Sequence, residues 1–497
     1  MEARANPEPA EGPRGAPQIA GGRPHGRRDL TRGPITRTLL IFSLPLFGAN
    51  ALQSLNGTVN QIWVSHILGE AAITALGNAN IVMFLMMAVI FGVGMAANIL
   101  IGQAVGAKDL GLVKHVMGTA STFFIGLSLV VAVLGGILAP HILDLMRTPA
   151  VSRADAIIYL RIIFACVPFM YFFMFMQMAQ RGAGDSTTPF WFMAVAIAID
   201  ITLNPLLIMG IGPFPKMGIS GSATSTLIGQ STSLLLMMVY LYVKRSLLTL
   251  RVSELRLLWP DPTILKSLVV RGLPMGVQML VMSGTAVIMI SLVNRYGAMT
   301  SAAYSISAII WSYLQMPTMA IGASVSSMAA QNVGARRWDR VDQVARSGVI
   351  SGLIITGAVA LLLYAFSRQI LGILLPSNSP AIPLALHINQ TILWAFVLFS
   401  ITFSLSGVVR STGAVWAPLA IMIFSMVGVR VPFASILSPR WGADAIWWSF
   451  PLGTVTSAIL TTLYYRYGGW RRAHMLDHPI AEDDRDLLGD DAIEVAV

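Results

Sequence analysis

Long apolar blocks separated by short polar connections dominate this chain. Each block exceeds the ~20 apolar residues that an α-helix needs to cross a bilayer. They fall at 36–64, 71–102, 115–140, 155–180, 188–210, 218–243, 265–293, 301–330, 346–370, 385–409, 415–437 and 443–466. Lipid admits only helices or closed barrels, and barrel strands alternate polar and apolar residues. Unbroken apolar blocks therefore predict an all-α polytopic membrane protein with twelve transmembrane helices.

The blocks repeat. Gln331-Asn332-Val333-Gly334-Ala335 follows Gln103-Ala104-Val105-Gly106-Ala107 at a distance of 228 residues. Pro274 follows Pro45 at 229, as Arg410, Gly413 and Pro418 follow Arg181, Gly184 and Pro189. Two six-helix lobes are expected, 36–243 and 265–466, joined by a charged linker at 244–264. An even number of helices per repeat starts both lobes from the same side. The pseudo-two-fold axis must then run along the membrane normal, the parallel repeat of transporters that rock two bundles about a central site.

Composition agrees: of 497 residues, 55% are hydrophobic and only 11% charged, far below the ~25% charge of a soluble domain. That excludes a soluble enzyme and a nucleic-acid-binding domain, despite a net charge of +10. About 25 of the 33 Lys and Arg lie in the tails and in alternate connections, the positive-inside pattern. Both tails are expected in the cytoplasm, with the chain multi-pass in the cell membrane. Residues 1–35 are Pro-, Gly- and Arg-rich and read as a disordered basic tail, not a signal peptide. The tail at 467–497 turns acidic and reads as disordered too. Cys166 stands alone, so no disulfide can form within one chain. The seven histidines fall in tails or near helix ends, which predicts no metal site and no enzyme. Gly102 and Gly106 lack the Lys-Ser/Thr of a nucleotide loop, and no cofactor is expected.

Asp200 is the acidic residue placed near mid-membrane. A carboxylate there defaults to function. Asn204 lies one turn on, and Pro205 frees the Ile201 carbonyl beside them. Such an oxygen-rich pocket suits a proton or a sodium ion. In helix 1, Asn50, Gln53, Asn56, Asn60 and Gln61 fall within an arc of about 140°, a stripe that lipid would reject. Pro45 frees the Ile41 carbonyl, so this helix can kink. Pro274 and Gln278 form a weaker counterpart in helix 7. Arg430 is expected to pair with Asp200 across the lobes, to snorkel outward, or to play a structural part. Tyr171 and Trp311, among many aromatic and Met residues, are expected to wall a cavity for bulky or cationic substrates. Trp447 and Trp448 read as an interfacial belt.

The order and spacing of several stretches resemble the multidrug and toxic compound extrusion (MATE) family, over about 36–466. They are Leu52-Gln53-Ser54-Leu55 running to Val59-Asn60-Gln61-Ile62-Trp63-Val64, the two Gln-x-Val-Gly-Ala motifs, Arg181-Gly182-Ala183-Gly184-Asp185-Ser186-Thr187-Thr188-Pro189, Leu203-Asn204-Pro205-Leu206-Leu207-Ile208 and Arg430-Val431-Pro432. The resemblance implies a monomeric secondary antiporter embedded in membrane lipid. It would export small drugs or metabolites against entering protons or sodium ions by alternating access. The alternative is a lipid or lipid-linked saccharide flippase of the same superfamily. Departures are plain: Asn60 stands where many members are acidic, and the Asn-then-Asp order of helix 5 is reversed in Asp200 and Asn204.

Overall fold

The computed structural model describes residues 28–476 apart from 69, 147, 149 and 375–378. The rest of the expected tails, 1–27 and 477–497, lies outside the described residues. The first lobe comprises α1 (Ile35–Leu68), α2 (Glu70–Ala107), α3 (Leu110–Leu145), α4 (Ala150–Gly182), α5 (Thr187–Met209) and α6 (Ile219–Val243). The second comprises α7 (Pro262–Asn294), α8 (Ala298–Gly334), α9 (Trp338–Ala365), a short α10 (Ser367–Leu374) and α11 (Ala381–Arg410). Next, α12 (Trp416–Ile423), a π-helical stretch (Phe424–Arg430) and α13 (Val431–Trp441) make one crossing, and α14 (Asp444–Tyr467) completes the lobe. With α10 appended to α9, the chain crosses twelve times. Ten crossings are apolar and long enough to be recognised by composition alone. The other two, α8 and α14, are rich in Ser and Thr. Protein neighbours rather than lipid surround much of α8, which packs on α1, α2, α9 and α11.

Local chemistry sets the turns. Asp109 caps α3 by accepting from the Leu112 amide at 2.9 Å. Asp261 caps α7 in the same way, with Pro262 at the first helical position. The repeat is visible in the backbone: Lys108 and Arg336 both take left-handed φ values, 59° and 56°, after their Gln-x-Val-Gly-Ala motifs. Gly184 and Gly413 do so at 90° and 99°.

The lobes meet along α2 against α7 and α8, and α1 against α8 and α9. They close tightly at the face that carries both tails. A Cβ on Gly106 would stand 1.9 Å from the Gln331 carbonyl oxygen, and one on Gly334 1.9 Å from that of Gln103. Gln103 Nε2 donates to the Ser411 carbonyl at 2.6 Å, and its repeat partner Gln331 donates to that of Gly182 at 2.8 Å. Ser327 Oγ donates to Asn98 Oδ1 at 3.2 Å between a further repeat-related pair. The glycines that look like a nucleotide loop in sequence are the contact surface of this crossing.

The connecting segments are more ordered than their composition suggests. Leu30 is fully buried, its amide donating to Gln331 Oε1 and its carbonyl accepting from Asn332 Nδ2. Ser267 Oγ and Arg271 Nε both donate to the Met475 carbonyl. Within the 244–264 linker, a 3-10 helix at Val252–Leu258 lies on α3, fastened by a 2.9 Å Lys114–Glu254 ion pair.

Candidate functional site

Three helices of the first lobe converge on Asp200. It sits on α5, is 3% exposed, and accepts four hydrogen bonds. On Oδ2 the donors are Asn56 Nδ2 and Asn60 Nδ2 of α1, each at 3.0 Å. On Oδ1 they are Ser225 Oγ at 2.5 Å and Thr226 Oγ1 at 3.2 Å, both of α6. Asn204, fully buried one turn along α5, donates to Asn60 Oδ1 at 2.6 Å and to Ser222 Oγ at 3.3 Å.

Close packing of α5 on α6 makes this geometry possible. Gly221, Ser225 and Gly229 recur every four residues along one face of α6. A Cβ on Gly221 would meet the Leu207 backbone at 2.7 Å, and one on Gly229 the Ala196 carbonyl oxygen at 2.7 Å. With both ends held against α5, the Ser225 hydroxyl between them reaches the carboxylate. Ser222, Ser225 and Thr226 do not stand out among the many Ser and Thr of this chain. Their signal is the small-xxx-small spacing, the common device for close helix approach in membranes.

The site is rich in acceptors. Besides the carboxylate, Asn56 Oδ1 and Asn204 Oδ1 are buried with no hydrogen-bond partner among the described residues. Such a set suits a proton or a small cation. Two hydroxyls can also change allegiance. Ser225 Oγ lies 2.9 Å from the Ser222 carbonyl oxygen as well as 2.5 Å from Asp200 Oδ1. Thr226 Oγ1 lies 3.2 Å from each of these two oxygens. A hydroxyl has one hydrogen, so each can serve one oxygen at a time.

Other residues singled out by sequence fall outside this cluster. Asn50 is half-buried and Gln53 exposed on the same helix. Pro45, part-buried, lies inside a continuous α1 eleven residues before Asn56; Pro205, next to Asn204, lies inside a continuous α5, and Pro274 is buried in α7. Arg430 neither pairs with Asp200 nor snorkels. It is 8% exposed in the second lobe, its guanidinium 4.4 Å from the centre of the Phe450 ring. The four donors on Asp200 are neutral side chains of its own lobe, which leaves no need for a distant cation. Tyr171, Trp311 and Gln278 line no open wall. Tyr171 donates to the Met86 carbonyl at 3.2 Å in the first lobe's core. Trp311 Nε1 donates to Asn389 Oδ1 at 3.0 Å in the second lobe's core. Gln278 Oε1 accepts from Arg410 Nη1 at 3.1 Å. Trp447 is fully buried and stacks on Tyr304 instead of joining a surface belt, whereas Trp448 is exposed.

One family model, MatE, matches the chain twice, at residues 45–206 and 274–436. The chain belongs to the MatE family. The double match is the duplication itself, since its two copies begin at the paired prolines Pro45 and Pro274. Curated relatives include the probable multidrug resistance protein YoeA of Bacillus subtilis, 36% identical over 87% of this chain and 94% of that protein. The probable multidrug resistance protein NorM of Thermotoga maritima is 23% identical over 89% of this chain and 94% of its own length. Among solved structures, a MATE crystallised in complex with MaD3S superposes with a TM-score of 0.81 at 22% identity, covering 88% of this chain and 96% of that one. An outward-facing multidrug resistance MATE family transporter superposes at 0.79 with 23% identity, over the same 88% and 96%. The two-lobe MatE fold, multi-pass in a membrane, is thus common to all of them.

Proposed function

We propose that this MatE chain is a secondary antiporter that exports drugs or metabolites from the cytoplasm, driven by protons entering through Asp200. The observation that carries the reading is a buried carboxylate whose four donors come from two helices besides its own. In the charged state Asp200 draws Asn56 and Asn60 onto Oδ2 and so ties α1 to α5. Hydrogen bonds to a charged group are worth about 1.5–3 kcal/mol each. A proton on the carboxyl removes that charge and donates to Ser225 Oγ, whose own hydrogen turns to the Ser222 carbonyl. Both states keep Ser225 satisfied, so the switch needs only hydrogens to move there, while α1 is released to bend at Pro45.

Asn50 and Gln53 continue the polar stripe of α1 beyond the site, where they would meet the substrate. The closed tail face fits a state open to the opposite side, which under the positive-inside pattern is the outside. Each pH unit supplies ~1.4 kcal/mol and each 100 mV ~2.3 kcal/mol per charge. Either suffices for about tenfold accumulation. Relatives named as multidrug resistance proteins support the substrate class. The chain acts as a monomer with lipid as its solvent, and as a transporter rather than an enzyme.

The test is efflux of a fluorescent cationic drug from proteoliposomes, with a proton gradient and a sodium gradient imposed in separate experiments. Efflux driven by the proton gradient alone is expected. Efflux driven by sodium alone would assign the acceptor-rich pocket to a metal cation. The absence of efflux under both would remove the antiport reading.

A further inference from the structure

The inner end of α1 belongs by packing to the second lobe, although its place in the chain is in the first. Ile35, Leu39, Phe42 and Leu46 recur every three or four residues, one face of the helix, and with Leu30 before them are at most 8% exposed. The other buried members of the apolar cluster they enter come from α8, α9 and α11, with Trp470 after α14. On the remaining faces Leu40, Ile41, Leu44 and Phe47 are exposed, so the covered face of this stretch is the one on the second lobe.

Polar bonds repeat that choice. Leu30 is held at its amide by Gln331 and at its carbonyl by Asn332. Arg337 Nη1 donates to the Thr31 carbonyl at 2.9 Å, and Arg340 Nη2 to that of Gly33 at 3.1 Å. Thr36 Oγ1 donates to Ser347 Oγ of α9 at 3.2 Å. Toward its own lobe, the Arg28 amide donates to the Gly184 carbonyl at 3.1 Å.

The partner then changes within two residues. Leu46 is the last α1 residue in the second lobe's cluster. A Cβ on Gly48 would meet the Phe190 ring of α5 at 2.8 Å, and Ala49 is buried with Met193 and Ile197 of α5. From there α1 runs on to Asn56 and Asn60 at Asp200. Pro45, which has no amide hydrogen to give, lies at the change. The repeat counterpart differs. Ile264 and Leu268 of α7 enter a cluster drawn mostly from the first lobe, but Ser267 and Arg271 fasten α7 to Met475 and Gly413 of its own lobe.

Opening the tail face requires a parting. Parting α1 from α8 and α9 would bare five apolar side chains and take the carbonyls of Leu30, Thr31 and Gly33 from their donors. Parting on the other side of this stretch breaks the Arg28–Gly184 bond and leaves the apolar face covered. The second route costs less, because burial of apolar surface is kept. We propose that residues 30–46 move with the second lobe as an arm, and that Pro45 is the joint through which the state of Asp200 in the first lobe acts on the second. What the movement accomplishes rests on the export reading above; which lobe carries the arm does not.

The test is two disulfides, each in the full chain with Cys166→Ser and reconstituted in proteoliposomes. Thr36→Cys/Ser347→Cys joins side chains 3.2 Å apart within the proposed moving body, and Asn98→Cys/Ser327→Cys joins a pair at the same separation across the seam of α2 and α8. Disulfide formation is scored by the loss of free thiols. Oxidised Thr36→Cys/Ser347→Cys should drive efflux at the rate of its reduced form. Oxidised Asn98→Cys/Ser327→Cys should fall to the level of protein-free liposomes and recover on reduction. Loss of efflux on oxidation of the Thr36→Cys/Ser347→Cys pair, restored by reductant, would overturn the proposal, since the arm would then leave α9 in every cycle. Undiminished efflux by both oxidised pairs would overturn it too, because no parting at the seam would be needed. Ser327→Cys added to the Thr36→Cys/Ser347→Cys pair gives a readout without transport. Its maleimide labelling should be unchanged by oxidation of the pair, and a severalfold slower rate would count against the arm. If the reduced proteins show no ion-driven efflux while that rate is unaffected by oxidation, only the export reading falls. If the reduced proteins export and oxidation of the arm pair stops efflux and slows labelling, only the arm falls.

Discussion

The crossing of α2 over α8 makes a quantitative prediction about the closed tail face. Gly106→Ala would place a Cβ 1.9 Å from the Gln331 carbonyl oxygen, where ordinary contact begins near 3.4 Å. The obstacle is backbone, so no rotamer change can relieve it, and the lobes must part by more than 1 Å. That parting breaks the paired bonds from Gln103 to Ser411 and from Gln331 to Gly182. At about 1 kcal/mol each, their loss removes roughly 2 kcal/mol from the closed state, some thirtyfold in population. The readout is thiol labelling of Ser327→Cys, a position 1% exposed against Asn98 at this interface, in a Cys166→Ser background. Gly106→Ala should raise the labelling rate at least tenfold, and Gly334→Ala should act alike through Gln103. Gly126→Ala, with nothing within 4 Å of the new Cβ, should leave the rate unchanged. An unchanged rate in Gly106→Ala, or an equal rise in Gly126→Ala, would refute the reasoning.

Three further outcomes are expected. Gly229→Ala meets the Ala196 carbonyl at 2.7 Å and lifts α6 from α5; proton-driven efflux should fall at least tenfold, while the protein remains monodisperse on size exclusion. Lys114→Met leaves the Glu254 carboxylate with the Arg251 amide but no cation, in a pair whose side chains are only 14% and 13% exposed; a loss of about 1–3 kcal/mol should lower the Tm by several degrees in thermal unfolding. Lys108→Cys, exposed after α2, should react with an impermeant maleimide only when the cytoplasmic face is presented; labelling from outside intact cells would reverse the orientation.

Helix placement was legible because lipid punishes error. Apolar blocks at 36–64 and 188–210 became α1 and α5 with boundaries moved by four residues at most. Asp200 stood out for the same reason, as did the Asn56 and Asn60 stripe that meets it. Tertiary choices were not legible. Nothing in the composition around Arg430 says which side chains it faces, and the π-helical winding that aims it is a backbone event. Tyr171 and Trp311 have the composition of a cavity wall and the surroundings of a core. Residues 28–34 read as a solvated Pro- and Arg-rich tail, yet one buried Leu30 and a few backbone bonds to α8 suffice to anchor them. The hydroxyls on Asp200 were hidden by abundance, and the spacing of Gly221, Ser225 and Gly229 is the pattern that reveals them.

The coupling role of Asp200 is tested most directly by separating accumulation from exchange in Asp200→Asn proteoliposomes. The substitution removes a buried charge, so folding should hold, and Asn204→Ala serves as a milder reference that loses one side chain's hydrogen bonds. Asp200→Asn should still exchange labelled for unlabelled drug at equilibrium, yet accumulate none against its gradient when a proton gradient is imposed. Accumulation by Asp200→Asn to the wild-type ratio would contradict the account.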